Sequence, residues 1–150
     1  MSWIKNKVGK GHTIFVPKNL DKFVGTHAVC RSSWERKFCE YCDKTSSIIL
    51  WSSESIRILY YDVVKKKSRS YYPDFMVRIK TKDGNINNYI IEIKPEKECK
   101  VPARKKNDSY YLKEWVTYTR NLAKWKAADE YCKKNGIEFK ILTEKSLGIK

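Results

Sequence analysis

Three charged residues stand where a β-strand ordinarily carries something apolar. The stretch "SYYPDFMVRIKTKDGNINNYIIEIKPEKE", residues 70–98, reads as two strands around a turn. Asp74 sits at the mouth of the first, and Glu92 and Lys94 lie inside the most hydrophobic run of the second. Strand alternation puts Glu92 and Lys94 on one face and Tyr89, Ile91 and Ile93 on the other, so one face is core and the other is chemistry. Burying such charges costs roughly several kcal/mol per ion unless they are paired or bound to metal. Register decides whether Asp74 can help. A two-residue Asp83-Gly84 turn would set Asp74 opposite Ile93, pointing away. An odd-length loop such as Asp83-Gly84-Asn85, or one bulge, brings it to the Glu92 side. The odd loop or the bulge is therefore expected. Two carboxylates so placed repel, and a hard divalent cation resolves the conflict, since Mg²⁺ takes one or two carboxylates plus waters and substrate phosphate oxygens.

The surrounding elements must position these groups. "RSSWERKFCEYCDKTS" offers Ser32 or Ser33 as N-cap ahead of Trp34, Phe38, Tyr41 and Cys42 at helical spacing, which predicts a short amphipathic helix over 33–44 with Glu35 beside its apolar stripe. "SIILW", "IRILYYDVV", "YYPDFMVRIK" and "NNYIIEIK" are β-branched and aromatic runs split by "SSES", "KKKSRS" and "TKDGNI", the pattern of an antiparallel meander. "PEKECKVPARKKNDS" reads as a surface loop. A long helix follows, starting near 109 or near 118, with Leu122, Trp125, Ala128 or Asp129, and Cys132 inward and Gly136 as its stop. "IEFKILTE" predicts a last strand with Ile137, Phe139 and Ile141 inward, and "TEKSLG" a partial capping-box start. Residues 1–31 show no sustained period and are read as an irregular basic arm before a domain spanning 32–150.

The 150 residues suffice for one domain with its own core. Lys and Arg total 32 against 17 Asp and Glu, a formal net charge of +15, which favours a polyanionic partner, nucleic acid first. The segments "VVKKKSRS" and "ARKK" supply Lys65, Lys66, Lys67, Arg69, Arg104, Lys105 and Lys106 as candidates for tracking a DNA backbone. They carry no groove-reading motif, so weak sequence preference is expected. Five cysteines, an odd number, and opening residues without the apolar centre of a leader suggest free thiols in a reducing compartment. No run of 18 apolar residues occurs, and no membrane association is expected.

Glu35 within "SSWERKF", the "PD" of "YYPDF" at 73–74, "EIKP" beginning at Glu92, and the late "KWKAADEYCKKNGIEFKILTE" together resemble the PD-(D/E)XK nucleases. The resemblance spans roughly residues 30–146 and is nearest to the TnsA-like endonuclease branch. Within it, the chain is most similar to the head completion nucleases of tailed bacteriophages. It implies an α/β (α+β) fold with a restriction-endonuclease-like α-β-β-β-α-β core, a mixed central sheet flanked by helices. It also implies a metal-dependent DNA endonuclease. Asp74 and Glu92 would hold Mg²⁺, or Mn²⁺ in its place, with the Ile93 carbonyl. Lys94 would orient or activate the attacking water, and Glu35 would complete the metal or water shell. One or two metals remain open.

The implied partners are double-stranded DNA and phage portal or neck proteins, without a nucleotide cofactor. The implied location is the host cytoplasm or the phage head.

Other readings compete with this one. A transposon-end endonuclease shares the chemistry, and a non-catalytic protein binding DNA ends or the neck shares the charge. An RNA-binding assembly factor would need recognition motifs that the chain lacks. His27, Cys30, Cys39 and Cys42 have zinc-ligand types, but Cys39 and Cys42 fall on the predicted helix, where cysteines three apart are usually core residues, so zinc is disfavoured.

Overall fold

The computed structural model describes residues 12–103 and 108–148. Its centre is a four-stranded sheet made of β3 (Ile48–Ser53), β6 (Phe75–Lys80), β7 (Ile86–Ile93) and β8 (Glu138–Leu142), in that spatial order. β3, β6 and β7 pair antiparallel and β8 joins β7 in parallel, so the sheet is mixed. The parallel step needs a crossover. The long helix α2 (Asp108–Lys134) supplies it. Ahead of the sheet lies α1 (Ser33–Lys44), giving the expected helix, three sheet strands, helix, strand order. This is the mixed α+β architecture of a restriction-endonuclease-like fold.

Both faces of the sheet are covered. Phe38, Cys39 and Cys42 of α1 pack with Trp51, Phe75, Val77, Ile91 and Ile93. Trp51 is fully buried, with the Phe23 ring edge-on at 4.5 Å, and Phe38 meets Phe75 at 4.8 Å. Each such aromatic pair contributes roughly 0.5–1.5 kcal/mol beyond its burial. On the opposite face Trp125, Ala128 and Cys132 of α2 pack with Ile90 and with Ile58, Tyr60 and Tyr71. The face bearing Glu92 is thus a second core rather than an open surface.

The meander expectation needs correction. β4 (Ile58–Asp62) pairs only with β5 (Lys67–Tyr71), and the two form a separate hairpin between β3 and β6. "KKKSRS", expected as a turn, contributes most of β5, whose residues are exposed except Tyr71. The turn before it is set by Asp62, whose Oδ1 accepts from the Val64 and Lys65 amides at 3.0 and 3.2 Å.

Part of the segment expected to be irregular is ordered. β1 (Thr13–Phe15) and β2 (Ala28–Cys30) pair antiparallel, and Phe15, Phe23, Ala28 and Cys30 join the α1-side core. Short strands of three residues show no period that a sequence window can register. On α2 the buried stripe is Asn121, Trp125, Ala128 and Cys132, while Leu122 is exposed, so the inward face begins one residue earlier than expected. Gly136, at φ 66°, follows the helix end as anticipated, and the Ile137 amide returns to the Cys132 carbonyl. Residues 144–148 form turns and start no helix.

Candidate active site

β6 ends at Lys80 and β7 begins at Ile86, so the connection is the five residues 81–85, an odd number. Gly84 takes φ 86° there, and the Thr81 amide donates to the Asn85 carbonyl at 2.8 Å. The pairing then runs without a shift from Lys80↔Ile86 to Phe75↔Ile91. One step further, Asp74 stands opposite Glu92. The odd loop, with no bulge, brings the two carboxylates to one side.

Asp74 closes the ladder with its side chain. Its Oδ2 accepts from the Ile93 amide at 2.8 Å, while its carbonyl accepts from the Glu54 amide at 3.0 Å. The N–H and C=O of one strand residue leave the same edge, so the Ile93 carbonyl also turns toward the Asp74 side. Glu92 is 6% exposed; its Oε1 and the Tyr71 hydroxyl are both buried and neither makes a hydrogen bond of ordinary geometry, although Tyr71 and Asp74 lie close enough to Glu92 to favour its ionised form.

Burial, followed by the charges of Glu92 and Glu35, pushes the Asp74 pKa well above the usual carboxylate range, against the Ile93 amide and Lys94. Burial raises Glu92 too, opposed by the Lys94 ammonium. Lys94, one residue past the end of β7, acts electrostatically on both carboxylates. Its backbone amide is tied to the Leu142 carbonyl of β8 at 2.9 Å.

Glu35 approaches from the N-terminus of α1. Ser32 is the N-cap, its Oγ accepting from the Glu35 amide at 3.2 Å, and it donates to Glu35 Oε2 at 3.2 Å. The "SSWE" stretch is thus a capping arrangement as well as a candidate for chemistry. Burial raises the Glu35 pKa, partly offset by the Arg31 amide and Ser32.

Asp74 and Glu92 open onto a cleft of about 440 Å³. The structure adds three charged residues to its walls that sequence reasoning missed: Arg31, Glu54 and Lys124. Each is unremarkable in its own segment, and only tertiary packing brings together residues from the β2–α1 junction, the end of β3 and α2. Tyr71 was missed for the same reason. Among the described residues no group of three or more His, Cys, Asp or Glu side chains is arranged to hold a metal ion. Two repelling carboxylates, an unpartnered Glu92 oxygen and the Ile93 carbonyl do fit Mg²⁺, which needs few protein ligands and keeps its waters.

Of the basic candidates, Lys65, Lys66 and Lys67 are exposed at the tip of the β4–β5 hairpin. Arg69 is engaged by Asp62, which is fully buried and accepts from Arg69 and Arg120 at 3.0 Å each. Arg104, Lys105 and Lys106 lie outside the described residues. Among the zinc-type residues, Cys30 and Cys39 have sulfurs 3.5 Å apart in the core beneath α1, Cys42 is buried with them, and His27 contacts Thr26.

Residues 45–144 match the TnsA-like endonuclease N-terminal family. The chain belongs to this family. The TnsA-like match spans β3 to β8 and so contains Asp74, Glu92 and Lys94, while Glu35 precedes it. The chain is also 37% identical over 140 residues to the head completion nuclease of Enterobacteria phage T4, an alignment covering 89% of this TnsA-like chain and 91% of that protein.

Proposed function

We propose that the protein is a Mg²⁺-dependent DNA endonuclease that acts in phage head completion, processing packaged DNA before head–tail joining. The observation that carries this reading is the convergence of Asp74 and Glu92 on one cleft with a buried carboxylate oxygen left without a partner. Asp74, Glu92 and the Ile93 carbonyl would hold the cation. The bound metal would neutralise non-bridging phosphate charge and lower the pKa of a bound water. Lys94, whose charge acts on both carboxylates, would orient that water and exchange a proton with it. Glu35 would steady the assembly from α1. The exposed hairpin lysines would follow the duplex backbone, giving strong salt dependence and little sequence preference.

The head-completion role is favoured over transposon-end cleavage by the near full-length match to the phage T4 protein. In that role the partners are double-stranded DNA and portal or neck proteins, and the location is the host cytoplasm or the assembling head.

Nicking of supercoiled plasmid tests the proposal. Wild type should cleave with Mg²⁺ and stop with EDTA, and Asp74→Ala and Lys94→Ala should lose cleavage by at least about a hundredfold while still binding DNA. A protein that binds DNA in every form yet never nicks it would be a non-catalytic DNA-binding protein.

A further inference from the structure

Two cations and one carboxylate on the cleft walls have no role in the chemistry above. Arg31 leaves the end of β2. Its Nε donates to Glu54 Oε1 at 2.7 Å and its Nη2 to Oε2 at 3.2 Å, a two-point fork, and its Nη1 lies 3.4 Å from His12 Nε2. A guanidinium presents the same planar pair of donors to a carboxylate as to a phosphate, so Glu54 occupies Arg31 in the way that a phosphodiester would. Glu54 itself is held at φ 50°, a left-handed conformation that a glutamate rarely adopts, with its amide on the Asp74 carbonyl.

Lys124 reaches the same cleft from α2. Its ammonium lies 5.7 Å from the ring centres of both Tyr60 and Tyr71, and Lys124 lines the cleft together with Glu92. Arg31 and Lys124 therefore come from separate elements onto the one cleft that contains Asp74 and Glu92.

From this geometry we infer that Arg31 and Lys124 form a phosphate clamp for the DNA backbone, and that Glu54 is a built-in surrogate phosphate which DNA must displace from Arg31. The inference rests on the nuclease reading and specifies how that site grips its substrate. The clamp holds DNA before any metal arrives. Substrate entry exchanges the Arg31–Glu54 fork for an Arg31–phosphate fork.

The test is binding of a fluorescein-labelled DNA duplex in EDTA, read across a salt series. Lys124→Met keeps the apolar stem against the two tyrosines. Lys124→Met and Arg31→Met should each weaken binding about five- to tenfold and flatten the slope of log K against log[salt] by about 0.9, the loss of one phosphate contact. Lys124→Arg should restore both. Glu54→Gln should bind DNA several-fold more tightly than wild type, because the internal competitor is gone.

Unchanged affinity and slope in Arg31→Met and Lys124→Met, with wild type still binding and cleaving, would overturn the clamp and leave the nuclease reading standing. Weaker binding by Glu54→Gln would overturn the surrogate role. A wild type that neither binds nor cleaves DNA would remove the nuclease reading and the clamp with it.

Discussion

Replacing Glu92 with glutamine should make the metal-free protein more stable while removing its metal response. Directly opposed strand residues hold their Cβ atoms about 5 Å apart, and two unit charges at that distance in an effective dielectric near 20 repel by about 3 kcal/mol, a cost present in full only above the raised pKa values at which both Asp74 and Glu92 are ionised. Glu92 also bears the desolvation of a side chain that is 6% exposed. Against this stand the lost attraction of Lys94 and a glutamine amide that must find partners, so a net gain of about 1–2 kcal/mol is expected. For a domain of this size that is a rise in Tm of roughly 3–6 °C.

The sign follows from linkage. The folded pKa of Glu92 is raised, so the folded state holds the proton more tightly than the unfolded one, and stability falls as pH rises above the unfolded value of about 4.3 toward the raised folded value. The Glu92→Gln advantage should thus be near zero at pH 4 and reach a plateau above the folded pKa. Thermal unfolding followed by circular dichroism in EDTA, from pH 4 to 8.5, measures it. Adding Mg²⁺ to a hundred times its Kd should stabilise wild type by about 2.7 kcal/mol and leave Glu92→Gln unmoved. A Glu92→Gln protein less stable than wild type in EDTA at pH 8, or one that gains equally from Mg²⁺, would refute the reasoning.

Changing Lys65, Lys66 and Lys67 together to alanine should flatten the salt slope of duplex binding by up to about 2.7 while leaving Tm within about 1 °C, read by fluorescence anisotropy and unfolding. Asp62 gives the opposite pH signature to Glu92. Burial would raise its pKa, but hydrogen bonds from Arg69 and the Lys65 and Val64 amides, with the charge of Arg120, bring it down to about 2. Its stabilising contribution is present above the unfolded pKa of about 3.9 and disappears as pH falls through about 2, so Asp62→Asn should lower Tm at pH 7 and converge with wild type in strong acid. The cleavage rate should climb with pH through the raised carboxylate pKa values, because the protonated pair cannot hold a cation. A rate independent of pH from 5 to 9 would contradict that.

The sequence disclosed those parts of the candidate site that share one hairpin or one cap. Parity of the turn sufficed to bring Asp74 to Glu92, because strand alternation has a period of two and only odd or even matters. Ser32 and the 33–44 helix were legible through the cap and the spacing of Phe38 and Cys42. What stayed hidden depends on tertiary placement. β5 has one buried residue and therefore no alternation to read. β1 and β2 are three residues each, and Phe15 and Phe23 enter the core from a segment with no period. Arg31, Glu54 and Lys124 meet across separations of more than 20 residues, and no local pattern signals such a meeting.

The most direct measurement is anomalous scattering from a crystal grown with Mn²⁺ in place of Mg²⁺. The expected result is a peak within about 2.5 Å of carboxylate oxygens from both Asp74 and Glu92, which disappears in Asp74→Asn. A peak bound to neither side chain, or none at Mn²⁺ concentrations that support cleavage, would contradict a metal centre built on this carboxylate pair.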